Sequence, residues 1–124
     1  MVQNEVLAKI ASEDVAVFVV WVPIFPGDNR QKALRARNLL PDPRARHFWD
    51  GDVGLGKRYR DVLSLPESIE VAWDVYSVFD RRAEWKEEPP PPAFWQHQLF
   101  SVESSQRLNG PQLRENSEKL LESP

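Results

Sequence analysis

The sequence predicts an α/β domain in which helices cover the faces of a layered sheet. Three observations carry that expectation. Helix-like and strand-like segments alternate along the chain. Two runs, residues 15–22 and 69–79, are dense in β-branched and aromatic residues, as buried strands are. The length, 124 residues, is one domain's worth, and the 11 prolines are clustered.

The elements follow in order. Val2, Val6 and Ile10 recur at spacing four with Leu7 beside them, the apolar stripe of a short amphipathic helix over residues 2–11. Residues 15–22, VAVFVVWV, are almost continuously apolar, which reads as a strand covered on both faces. Pro23, Pro26 and Gly27 end it. Asp28 with Gln31 resembles a capping box and predicts a helix through Leu40, stopped by Pro41 and Pro43. A short strand over Ala45–Trp49 comes next, then a turn through Asp50, Gly51 and Asp52, with Asp52 as a helix cap. Leu55, Tyr59, Val62 and Leu63 define the third helix.

After Pro66, residues 69–79 predict a strand with Ile69, Val71, Trp73, Val75, Ser77 and Phe79 on one face. Residues 86–92 are a proline-rich connector of polyproline type. Residues 93–100 are the last strand, at an edge because prolines precede it. Residues 101–124 form a tail and a helix opened by Asn109, Gly110 and Pro111, with Leu113, Leu120 and Leu121 as its apolar face. The whole chain, 1–124, reads as a single domain.

Composition removes whole classes of chemistry. There is no cysteine, so disulfides, thiolate nucleophiles, zinc–thiolate sites and iron–sulfur ligation are excluded. The longest apolar run, residues 15–25, is too short to span a bilayer, so no membrane partner is expected. The N-terminus carries Glu5, Glu13 and Asp14 where a secretory signal needs positive charge and an apolar core, which implies a cytoplasmic protein if Met1 is the true start. Charge is uneven: residues 28–60 hold nine basic against four acidic residues, residues 61–124 six against twelve. Without an accompanying recognition motif, the reading is solvated faces and no nucleic-acid partner.

Few residues carry chemistry. Gly51, Gly54 and Gly56 precede a helix but match neither the dinucleotide fingerprint nor the P-loop, so they read as a helix-entry turn and no cofactor is expected. His47, Asp50 and Asp52 lie within six residues, and His97 on another strand would have to join them to hold a divalent metal. No G-x-S-x-G turn surrounds any serine. Among the tryptophans, Trp85 and Trp95 flank the prolines and are the candidates for contact with a protein or peptide partner.

The segment VQNEVLAKIASEDVAVFVVWVPIFPGDNR resembles the helix-to-strand passage that follows the Cys-x-x-Cys motif of thioredoxin-like proteins. RHFWDGDVGLGKRYRDVL, VAWDVYSVFD and FWQHQL extend the likeness, to a bacterial branch of that family, over residues 2–99. The resemblance implies a thioredoxin-like layered sheet truncated at its N-terminus, because the family's first strand and its Cys-x-x-Cys would lie before Met1. That first strand is central, hydrogen-bonded on both sides. No catalytic residue transfers, since no position matches one.

Three functions follow as expectations: a redox-inactive domain serving as a binding or structural module; the C-terminal part of a thiol–disulfide oxidoreductase; and, from another class, a metal-dependent enzyme using His47 and nearby aspartates. The first is favoured, and the chain is therefore expected not to be an enzyme. The missing strand further implies a homodimer through strand pairing or sheet packing near Val17, Val19, Trp21 or Val75. The competing outcome is a monomer in which residues 93–100 cover the gap.

Overall fold

The structure, a computed structural model, describes residues 1–122. β1 (Val17–Trp21) pairs in parallel with β2 (Ala45–Trp49), from Val17 opposite Ala45 to Trp21 opposite Trp49. A parallel pair needs a crossover, supplied by the segment that contains α1 (Arg30–Ala36). β3 (Val75–Val78) and β4 (Phe94–His97) pair antiparallel, Val75 opposite His97 and Val78 opposite Phe94. α2 (Gly54–Val62) precedes β3, and α3 (Gly110–Glu122) closes the described chain. The α/β class is as expected, but in place of one layered sheet there are two separate two-stranded sheets. The last strand, β4, pairs with β3 and not with β1.

Two small apolar clusters hold these pieces. Residues 2–9 form a π-helical turn followed by a 3-10 turn rather than a regular helix, yet the apolar stripe works as its spacing predicts. Val6 and Ile10 are buried against Leu113 of α3, with Val15, Tyr76, Val78 and Phe94 packed around them. Gly110 sits at this contact, where a Cβ would collide with Glu5, so glycine lets α3 close on the N-terminal turn. The second cluster is Leu65, Ile69 and Leu99, covered by Trp73, Val75 and Trp95. Val75 and Tyr76 thus face opposite clusters, as strand alternation requires.

Several local expectations are corrected. Residues 15–22 are not covered on both faces: no residue of β1 is buried, and Phe18 is 63% exposed. Residues 69–79 supply only a four-residue strand, because Asp74 takes a left-handed φ of 52° that interrupts extended backbone just before β3. Ahead of it the Ala72 N–H donates to the Gly56 carbonyl (2.9 Å), tying this stretch to α2 instead of to a strand.

Helix caps also shift by a residue or two. α1 is capped by Asn29, whose Oδ1 accepts the Lys32 N–H (2.9 Å), and the α-helix gives way to a 3-10 turn at Arg37. Asp28 instead accepts the N–H groups of Ile24 (3.0 Å) and Phe25 (2.8 Å), which hold its carboxyl below the ordinary value. At α2, Asp50 rather than Asp52 accepts the Leu55 N–H (3.0 Å). The proline-rich connector lies along α2: the Tyr59 hydroxyl donates to the Pro90 carbonyl (3.4 Å) and the Arg58 guanidinium to that of Glu87 (3.0 Å). Of the predicted tail and helix, residues 123–124 lie outside the described part. Among the described residues no helix is long and apolar enough to cross a membrane.

Candidate functional site

The structure does not bring the metal-ligand candidates together. His47 lies on β2, where its Nδ1 accepts the Trp21 indole N–H (3.1 Å), leaving Nε2 to donate to the Leu40 carbonyl (3.1 Å). The two rings stack at 6.1 Å with an 8° interplanar angle, so His47 joins β1, β2 and the end of the crossover. Asp50 is engaged at the start of α2, and Asp52 is exposed. His97 lies in the other sheet at 0% exposure; its Nδ1 accepts the Leu99 N–H (3.0 Å) and its Nε2 donates to the Glu103 carbonyl (2.8 Å). Among the described residues no three His, Asp or Glu side chains converge as a metal site would require.

The tryptophan candidates part company. Trp95 packs over the second apolar cluster, while Trp85 is 49% exposed and meets Tyr59 edge-on at 6.3 Å. Tyr59 also meets Phe79 at 6.2 Å, so Trp85 caps an aromatic group at the start of the proline-rich segment.

Arg44, which the sequence reading did not single out, fastens the N-terminal turns to the strand region. Its guanidinium donates to the carbonyls of Leu7 (2.7 Å), Ile10 (2.6 Å) and Ser12 (2.9 Å) and forms a bidentate pair with Asp42. Arg44 holds the Asp42 carboxyl down at about 2. In the first cluster, burial and then the 2.6 Å hydrogen bond to Asp74 push the Tyr76 phenol above its ordinary range. Both arrangements are structural: their polar atoms are already paired, and none of the buried side-chain polar atoms among the described residues lacks a partner.

What remains open is backbone. The Trp21 carbonyl accepts the Asp50 N–H (2.9 Å), which fixes the parity of β1. Val17, Val19 and Trp21 turn their amide groups toward β2, and Phe18 and Val20 turn theirs away. By the same reasoning the carbonyls of Asp74 and Val78 accept from Gln98 and Ala93, so Val75 and Ser77 point away from β4. Among the described residues no hydrogen bond meets these outward groups of Phe18, Val20, Val75 or Ser77. Side chains compound the exposure at β1. Phe18 and Phe48, 63% and 49% exposed, lie 6.3 Å apart on the sheet face opposite Trp21 and His47. Alternation in the sequence places Phe18 and Phe48 opposite His47, but nothing in it says which face stays bare.

Comparison with protein-family models, with curated proteins and with solved structures found no match to this chain.

Proposed function

We propose that this chain is a redox-inactive thioredoxin-like domain that acts as a binding or structural module. The observation that carries the reading is the apolar, unpaired edge of β1, bordered by exposed Phe18 and Phe48. Unpaired strand edges bind by adding a strand, and exposed aromatic side chains supply the accompanying apolar area. The likeness to the thioredoxin-like family rests on the sequence segments quoted above. A parallel pair β1–β2 and an antiparallel pair β3–β4, with helices between and after them, are compatible with the mixed α/β layering of that family.

A thioredoxin-type reaction needs a thiolate, and the sequence holds no cysteine. The purified chain should therefore give no insulin-disulfide reduction above the background of dithiothreitol alone. A protein-dependent rate above that background overturns the reading.

A further inference from the structure

We propose that a second copy of this chain occupies the open edge of β1, with the two β1 strands antiparallel and centred on Val19. This rests on the reading of the chain as a strand-edge binding module and names its partner.

The four strands present different outer edges. That of β4 is covered: the His97 carbonyl accepts the Leu108 N–H (2.8 Å), and His97 bridges Arg107. β2 follows Pro41 and Pro43 and carries the exposed charge of Arg46, which discourages a further strand. β3 is only four residues long and lies between Asp74 and Asp80. β1 alone lacks any guard, since residues 15–25 contain no charge and no proline falls within Val17–Trp21.

The edge is also self-complementary. A two-fold axis through Val19 sets Phe18 opposite the partner's Val20 and Val20 opposite the partner's Phe18. Those are the residues whose N–H and C=O groups point outward, so each pair exchanges both hydrogen bonds, as antiparallel ladders do. The result is a four-stranded sheet, β2-β1 continued by the partner's pair, with Phe18, Val20 and Phe48 forming one apolar face across the axis. Phe18 then lies beside the partner's Val20, an aromatic–β-branched cross-strand pair.

Surface area points the same way. The chain exposes 8489 Å², whereas a compact monomer of 14.4 kDa exposes about 6,800 Å². The surplus is roughly twice the ~800 Å² that one partner contributes to a standard interface.

Light scattering on the purified chain, from micromolar to millimolar concentration, tests this. The expected mass is twice 14.4 kDa. Phe18→Lys, at an exposed side chain, should halve the mass with an unchanged circular-dichroism spectrum. Val20→Pro should do the same, because it removes an N–H that β1 does not use toward β2. A monomeric mass throughout, or a dimer that survives both substitutions, overturns the proposal. Neither result touches the insulin assay, so failure of the pairing and failure of the module reading are told apart.

Discussion

β1 and β4 each end a two-stranded sheet, and they end it differently. β4 carries Gln96 and His97, both at 0% exposure, yet every buried side-chain polar atom there is matched. Gln96 accepts the Asn109 N–H (3.1 Å) and donates to Gln112 (2.9 Å), while His97 spans Leu99 and Glu103. β1 carries Val17, Phe18, Val19 and Val20, and none of them belongs to either buried cluster. Polar residues are thus interred and apolar ones left out. Burial follows from what lies over a strand, and α3 with the loop before it covers β4, whereas Phe18 and Phe48 stay exposed on the outer face of the β1–β2 pair.

That contrast is broken most severely at Leu113. Only eight hydrophobic residues are buried among those described, so removing one side chain from the α3 contact leaves a cavity with little to refill it. Leu113→Ala should cost about 3 kcal/mol by urea unfolding. Phe48→Ala, a larger truncation on the bare face, should cost under about 0.5 kcal/mol when measured in the monomeric Phe18→Lys background. Equal losses at the two positions would mean that the β1–β2 face is buried after all.

Arg44 sharpens the comparison next, because it fastens the N-terminal turns onto β2's approach rather than onto β1. Arg44→Ala strips three carbonyls and Asp42 of their donor and should cost about 3 kcal/mol or slightly less. The same pair sets an acid limit. Asp42's carboxyl lies at about 2 in the fold against 3.8 ordinarily, so its contribution is complete above about pH 4 and lost as pH falls toward 2. Urea midpoints across that window should fall in the parent chain and change less in Arg44→Ala. A parallel decline in both would remove the pair from the account.

The residues disclosed the element order, the strand Ala45–Trp49, the apolar stripe that carries Val6 and Ile10, and Leu113 on the apolar face of the last helix, because periodicity is local. Cap identity was missed by one or two positions: Asp28 and Asn29, like Asp50 and Asp52, are all competent acceptors, and only the backbone path chooses between them. Left-handed backbone at Asp74 was not legible either, which is why an eleven-residue apolar pattern shrank to Val75–Val78. The separation of His97 from His47 and Asp50 follows from a division between sheets that no spacing encodes. The open edge of β1 was legible only as hydrophobicity, which looks the same whether a strand is central or bare.

Amide hydrogen exchange, residue by residue, in the Phe18→Lys variant tests the central claim that β1 presents an unpaired edge. The amides of residues 18 and 20 should exchange orders of magnitude faster than that of Val19, which donates into the ladder with β2, and faster than those of Tyr76 and Gln96 in the covered sheet. In the parent chain at dimer-forming concentration, residues 18 and 20 should become protected as well. Protection of both residues in the monomeric variant, at the level of Val19, would contradict the account, for it would mean that the chain already covers the edge by itself.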